Sequence, residues 1–138
     1  MLNVAIIPAR GGSKGVHRKN LKKINGLSLI GRAINSAKVV GVDKVIVTTD
    51  DIEIKKEALK FGAEVPFLRS SILSNDDAIS ENVIRDVIKK VETYYSKKIN
   101  LIIFLEPTSP FRNKNHVNKA MEKMLEGKHR SVVSVCQL

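Results

Sequence analysis

A basic, glycine-rich segment follows the first apolar run of the chain. The segment reads ARGGSKGVHRKN over residues 9–20, and its small residues are Gly11, Gly12, Ser13 and Gly15. Small residues allow successive backbone N–H groups to turn toward a bound anion. Arg10, Lys14 and Lys19 can add charge-assisted hydrogen bonds to phosphate oxygens. These residue types predict a polyphosphate site, and from spacing alone a flexible basic loop is the alternative.

The glycine spacing excludes two common nucleotide-binding motifs. No Gly-Lys-Ser/Thr follows at the distance that a Walker A loop requires, and the glycines read GGxxG instead of GxGxxG. The sequence therefore supports neither a P-loop ATPase nor a dinucleotide-binding protein.

Alternating strands and helices must position this segment. Apolar runs predict four strands, at 2–9, 44–50, 100–106 and 131–136, and amphipathic stretches predict helices at 28–40, 51–61, 78–96 and 113–126. Gly41, Gly62 and Gly127 stand where a helix favours a left-handed C-terminal residue. We expect a mostly parallel sheet covered on both faces, which is a three-layer α/β/α domain over residues 1–138.

Polar segments follow the other predicted strands as well. They are TTDD at 48–51, EPTSPFR at 106–112, and PFLRSSILSNDDA at 66–78, which includes Arg69. Ligands of such sheets bind outside the carboxyl ends of the strands, so we expect these segments to form one site. Asp50 and Asp51 also stand where helix N-caps stand, and we favour capping over metal binding.

Composition limits the partners of the chain. Lys and Arg number 24 against 14 acids, which gives a formal charge of +10 and indicates an anionic partner. Nucleic acid is disfavoured because no nucleic-acid-binding motif is present and only six residues are aromatic (two Tyr and four Phe). No apolar run is long enough for a membrane span, and the N-terminus reads as a strand, so we expect a cytoplasmic protein.

Several side chains have ordinary structural interpretations. We expect the three histidines to be exposed, because they show no metal-ligand spacing. Cys136 is interpreted as a small core residue, and Tyr94 and Tyr95 as residues that pack against the sheet. Ser80 and Arg112 are also compatible with ordinary positions at helix starts.

Four ordered segments resemble the acylneuraminate cytidylyltransferases, which activate sialic acid and related nine-carbon acids as CMP-sugars. They are IIPARGGSKGVHRKN, VTTDD, FGAEVPFLRSSILSNDDA and LEPTSPFR, and they extend along most of the chain. The resemblance implies a Rossmann-like fold of the nucleotide-diphospho-sugar transferase type. It also implies that a sugar hydroxyl attacks the α-phosphate of CTP, so that pyrophosphate leaves.

The resemblance assigns roles to residues of the matching segments. Arg10 and Lys19 would be catalytic. The nucleotide would be bound by Arg10, Gly11, Gly12, Ser13, Lys14, Asn20, Arg69 and Ser80. The sugar acid would be bound by Glu106, Thr108 and Ser109. The resemblance also implies magnesium, with ligands beyond residue 138, and a homodimer of the full-length form.

Two departures from the family pattern qualify this expectation. Glu106 replaces a glutamine on the acceptor-sugar side, and an ionised carboxylate is a poor neighbour for a sugar acid. The 138-residue chain is also shorter than the family pattern. The first expectation is therefore a CMP-sugar synthetase or its N-terminal portion, and the alternative is a noncatalytic or incomplete CTP-binding domain. The sequence does not identify the sugar.

Overall fold

The computed structural model describes residues 1–12, 15–69 and 80–137. The main element of the fold is a parallel β-sheet. The described strands are β1 (Leu2–Pro8), β2 (Lys23–Ile24), β3 (Leu27–Ser28), β4 (Lys44–Thr48) and β5 (Ile99–Phe104). The described α-helices are α1 (Leu29–Ala37), α2 (Ile52–Lys60), α3 (Ser80–Tyr95) and α4 (Lys114–Leu125). The order β4-β1-β5 places β1 at the centre of three parallel strands.

The register of the sheet brings the carboxyl ends of its strands together. Ile6 of β1 lies opposite Ile46 of β4 and Phe104 of β5. Backbone pairing continues just past β1, where Ala9 N donates to the Thr48 carbonyl over 2.9 Å. The residues that follow the three strands are therefore held at one edge.

Helices cover both faces of the sheet. Successive side chains of β1 point to opposite faces, and each face is buried against helices. Ala5 and Ile7 face a core shared with α1, α2 and α4, and Val4 and Ile6 face a second core shared with α3. All four of these β1 residues are fully buried. The predicted three-layer α/β/α arrangement is confirmed.

The ends of the helices follow local capping chemistry. Ser28 caps α1 by accepting from Gly31 N over 3.1 Å, and Asn113 forms a capping box with His116 at the start of α4. The expected glycines are confirmed for α2 and α4, because Gly62 and Gly127 directly follow the C-cap residues and have positive φ. The expectation is wrong for Gly41, which has positive φ but lies beyond the end of α1 at Ala37. Within the described parts of the chain, no helix combines the length and the apolar character that crossing a bilayer requires.

A short hairpin that we did not predict connects the basic segment to α1. Strands β2 and β3 pair in antiparallel fashion across Asn25 and Gly26, which have φ values of 49° and 79°. Positive φ at both positions is characteristic of the type I′ turn that Asn-Gly favours. Leu29 N then donates to the Lys22 carbonyl over 3.0 Å, so the hairpin fixes where α1 begins.

The chain returns to β4 after α2 without forming a full strand. Glu64 makes an isolated parallel bridge with Ile46. Its N–H donates to the Val45 carbonyl over 2.8 Å, and its carbonyl accepts from Val47 N over 3.0 Å. This one-residue pairing directs the following segment toward the carboxyl edge of the sheet.

The strand predicted at 131–136 is wrong. Residues 131–137 have no regular structure and form no ladder with the described strands. Val133 and Val135 are exposed, and Cys136 is exposed as well, so its interpretation as a core residue is also wrong. A β-branched composition does not form a strand unless a neighbouring strand pairs with it and a buried surface receives its side chains.

The expectation for the two tyrosines is half correct. Tyr95 packs against the second core, and its hydroxyl donates to Glu64. Burial raises the pKa of Tyr95, and the Glu64 carboxylate raises it further. Tyr94 is exposed, so its predicted packing is wrong. The three histidines are exposed, as we expected.

Candidate functional site

Segments after three strands meet at the carboxyl edge of the sheet. Arg10 follows β1, Asp50 follows β4 and Glu106 follows β5. Gly11 N donates to Asp50 Oδ1 over 2.8 Å, so the basic loop contacts the end of β4 directly. This contact confirms that the segments after β1 and β4 lie together, and the turn after β5 follows the neighbouring strand at the same edge.

Gly11 allows the loop to approach the start of α2. A Cβ atom at this position would lie 2.5 Å from Asp51 Oδ2 and 2.7 Å from Asp51 Cβ, which is closer than real contacts allow. Its N–H group is already engaged by Asp50. Gly11 therefore permits a close packing contact here, whereas a Cβ at Gly12 would meet open space.

Asp51 combines a helix cap with an ion pair. Its carboxylate accepts from Glu53 N over 2.7 Å and from Ile54 N over 3.1 Å, which satisfies donors of the first turn of α2. Arg18 Nη2 contacts both carboxylate oxygens, at 3.0 and 3.1 Å. The capping expectation is confirmed for Asp51. For Asp50 it is wrong, because the Asp50 carboxylate accepts from Gly11 of the loop.

Asn20 closes the basic loop from the other side. It lies in a short 3₁₀ helix, Lys19–Leu21, and is buried. Its Nδ2 donates to the Arg10 carbonyl over 3.0 Å, which joins the two ends of the loop. The structure thus places Arg10, Lys19 and Asn20 in one loop, as the sequence predicted.

Arg69 is a buried cation at the same edge. Its backbone N–H donates to the Thr49 carbonyl over 2.7 Å, and only 6% of the residue is exposed. Burial lowers the pKa of Arg69, the negative charge of Asp50 opposes that shift, and the positive charge of Arg10 reinforces it. Arg69 is therefore a buried cation at the end of β4, on the same edge as the loop that contains Arg10.

The turn after β5 presents exposed polar groups. Glu106, Thr108 and Ser109 are exposed. Arg112 Nη2 donates to the Glu106 carbonyl over 2.9 Å, and among the described residues Arg112 Nε has no hydrogen-bond partner. Burial lowers the pKa of Arg112, and the nearby Glu106 charge opposes that shift. Arg112 is therefore a partly buried cation of this turn, not a simple surface residue.

Some predicted site residues lie outside the described residues. They are Ser13, Lys14 and the hydroxyl-rich stretch that follows Arg69. Ser80 is the first residue of α3. Sequence reasoning missed Arg18, whose partner Asp51 is 33 positions away, and no local periodicity could have revealed that pair.

The described residues form no preassembled cluster of magnesium ligands. Magnesium requires near-octahedral oxygen coordination, usually with one or two carboxylates and several waters. The Asp51 carboxylate already accepts from Glu53 and Ile54 and contacts Arg18. The described parts of the chain contain no group of three or more His, Cys, Asp or Glu residues that could hold a metal.

The sequence of the chain is similar to the sequences of known proteins. The sequence profile of the family described as "Cytidylyltransferase" matches residues 4–137. The chain is 37% identical over 131 residues to the pseudaminic acid cytidylyltransferase of Campylobacter jejuni, covering 94% of this chain and 56% of that protein. It is 36% identical over 136 residues to the CMP-N,N'-diacetyllegionaminic acid synthase of Legionella pneumophila, covering 96% of this chain and 56% of that protein. The chain thus spans about half the length of these curated relatives.

Solved structures share the fold. A CMP:2-keto-3-deoxy-manno-octonic acid synthetase in complex with CTP superimposes with a TM-score of 0.74 at 26% identity, covering 91% of this chain and 48% of that one. A cytidylyltransferase from Leptospira borgpetersenii gives a TM-score of 0.67 at 22% identity, covering 94% of this chain and 52% of that one. The parallel sheet with covering helices is therefore an architecture found among nucleotidyltransferases.

Proposed function

The chain belongs to the cytidylyltransferase family, and from that premise we propose that it binds CTP for transfer of a cytidylyl group to a sialic-acid-like nine-carbon sugar acid. The products would be a CMP-sugar and pyrophosphate. Relatives named for pseudaminic, legionaminic and acylneuraminic acids support this class of acceptor.

The observation that carries the proposal is the placement of two arginines at the carboxyl edge of the sheet: Arg10 follows β1, and the N–H of Arg69 donates to the Thr49 carbonyl just after β4. Arg10 and Arg69 carry like charges that repel each other, and the nearby Asp50 and Asp86 carboxylates favour the charged form of Arg69. A bound triphosphate would add negative charge where the positive charges converge, and burial of Arg69 strengthens such an interaction. The two cations at this edge would therefore favour binding of a polyanion.

The chain's own residues would bind and orient the nucleotide. Phosphoryl-type transfer needs mainly positioning of the reactants and neutralisation of charge. Arg10, Lys19 and Arg69 would neutralise the triphosphate, and the loop would hold it against the end of β1. In the transfer, a bond forms between the sugar hydroxyl oxygen and the α-phosphorus while the bond from that phosphorus to the departing pyrophosphate breaks.

Replacement of Arg10 by alanine tests the loop assignment. A charge-assisted hydrogen bond contributes about 1.5 to 3 kcal/mol, so Arg10→Ala should weaken CTP binding about ten- to a hundredfold. Isothermal titration calorimetry of both proteins with CTP and with ATP measures the loss and the preference for cytosine. Equal CTP affinity of the two proteins would contradict the assignment.

Turnover is tested separately from binding. Pyrophosphate release would be monitored with CTP, magnesium and a panel of nine-carbon sugar acids. Release that depends on the sugar would support the proposed transfer. Tight CTP binding without such release would identify a noncatalytic or incomplete CTP-binding domain.

Glu106 provides a test of acceptor specificity. We expect its exposed carboxylate to disfavour an acidic sugar unless a hydroxyl or amine of that sugar donates to it, and we expect the adjacent Arg112 to offset part of the charge. In a protein that shows turnover, Glu106→Gln should raise kcat/KM for N-acetylneuraminate about three- to tenfold relative to the preferred acid, a change of about 1 kcal/mol. Glu122→Gln, an exposed carboxylate on α4, serves as the control. An unchanged ratio in Glu106→Gln would show that this carboxylate does not face the acceptor.

A further inference from the structure

The ion pair between Arg18 and Asp51 joins the basic loop to the start of α2. We propose that Arg18 and Asp51 are positioning residues, which hold Lys19 and Asn20 at a fixed spacing from Arg10. The inference rests on the proposed function, because the loop is taken to be the triphosphate site. It adds two residues that the assigned site does not contain.

The first argument is the backbone of Arg18. This residue has φ 49° and ψ 45°, a left-handed conformation that non-glycine residues rarely adopt, and it directly precedes the 3₁₀ helix that contains Lys19. Such a conformation is unfavourable for a residue with a side chain and persists where surrounding contacts enforce it. The contacts of Arg18 Nη2 with both Asp51 oxygens supply that enforcement.

The second argument is the rigidity of the anchor. Asp51 is fixed by its hydrogen bonds to the first turn of α2, and Ile54 and Ala58 bury that helix in the first core. The side chain of Asp51 is only 18% exposed. A loop residue bound to this carboxylate is therefore bound to the folded core.

The third argument is that the opposite end of the loop is held independently. Gly11 N donates to Asp50 Oδ1 over 2.8 Å, a contact that involves neither Arg18 nor Asp51. With Arg18 bound to Asp51, contacts at both ends determine the distance between Arg10 and Lys19. A triphosphate then meets cations that are already spaced, which lowers the ordering cost of binding.

The charges of the pair predict an asymmetric response to mutation. Arg18→Gln leaves the Asp51 carboxylate uncompensated near a polyanion, so both positioning and electrostatics become worse. Asp51→Asn keeps an excellent N-cap, loses the ion pair and removes the negative charge. We expect CTP affinity to fall about tenfold in Arg18→Gln and about threefold in Asp51→Asn.

A double-mutant cycle measures the coupling between the two residues. If they act through each other, the double variant should bind CTP about as weakly as Asp51→Asn, and not about thirtyfold more weakly than wild type as independent effects would give. Arg18→Lys should recover part of the affinity because it retains the charge. Calorimetry at one fixed ionic strength is the measurement, and urea midpoints show whether stability changes.

The chain offers a matched control at the opposite edge of the sheet. Glu92 also accepts from a backbone N–H, that of Ile99 over 3.0 Å, and pairs with a cation, Lys98, at 2.9 Å. The variants Glu92→Gln, Lys98→Gln and their double should leave CTP affinity unchanged. If the coupling of Glu92 and Lys98 in CTP affinity were as large as that of Arg18 and Asp51, the proposal would be overturned. Such a result would indicate that any change of charge on the protein alters CTP affinity.

Hydrogen exchange separates failure of this inference from failure of the proposed function. In the ligand-free protein, Asp51→Asn and Arg18→Gln should speed amide exchange at residues 19–21 and leave the amides of β1 unchanged. Unchanged exchange at 19–21, or additive effects on CTP affinity, would overturn the inference. If wild type does not bind CTP while exchange still accelerates, the proposed function fails and the positioning role stands.

Discussion

Arg69→Ala is expected to weaken CTP binding by about a hundredfold or more. A guanidinium can donate two parallel hydrogen bonds to phosphate oxygens, each charge-assisted and worth about 1.5 to 3 kcal/mol. Arg69 is more deeply buried than Arg10, so water screens its charge less. The loss of CTP affinity in Arg69→Ala should therefore be larger than in Arg10→Ala. Calorimetric titration with CTP measures the effect.

Two further variants isolate the cause of that loss. Arg69→Lys retains the charge and loses the planar fork, so its affinity should lie between those of wild type and Arg69→Ala. Arg85→Ala removes an exposed cation of α3, which pairs with Glu81 on the same helix, and should leave CTP affinity unchanged. The backbone bond from residue 69 to the Thr49 carbonyl remains possible in each Arg69 variant. A loss in Arg69→Ala no larger than in Arg85→Ala would show that Arg69 does not contact the nucleotide.

Ile7→Ala is expected to lower the free energy of unfolding by about 2 to 5 kcal/mol. Ile7 is fully buried in the central strand, where its side chain packs in the core shared with α1, α2 and α4. Truncation removes buried methyl and methylene groups and leaves a cavity that the surrounding helices fill only partly. Because domains are stable by only about 5 to 15 kcal/mol, the loss is a large fraction of the total. Urea unfolding followed by circular dichroism measures it.

Graded controls accompany this stability test. Ile7→Val removes a single methylene group and should cost about 0.5 to 1.5 kcal/mol. Val40→Ala alters a residue that is 96% exposed and should change the free energy of unfolding by less than about 0.5 kcal/mol. If Ile7→Ala and Val40→Ala proved equally mild, the position of Ile7 in the core would be wrong.

Local patterns in the sequence were sufficient to predict most of the fold. Apolar runs identified β1, β4 and β5, and amphipathic periodicity identified the four helices, whose bounds lie within a few residues of the expectation. These signals are local, because burial of one face imposes a period on the residues of that element. The same patterns placed Arg10, Asp50 and Glu106 after strands, so the edge where they meet could be predicted as well.

What the sequence could not predict depends on contacts between distant residues. The ion pair of Arg18 with Asp51 and the bond from Asn20 to the Arg10 carbonyl arise only after the loop folds back on α2. The segment 131–136 has the composition of a strand, but no described strand pairs with it. The hairpin before α1 was predictable in principle, because Asn25 and Gly26 form the dipeptide that a type I′ turn favours.

The single bridge at Glu64 has a consequence for how the chain tolerates evolutionary change. Main-chain bonds hold Glu64 to β4 and Arg69 to the Thr49 carbonyl, so the four residues between them have a fixed distance to span. Substitution of the exposed Leu68 leaves that span intact. An insertion or deletion within 65–68 would either break one of the main-chain bonds or displace the guanidinium from the sheet edge. Natural variants of this segment should therefore differ in residue type far more often than in length.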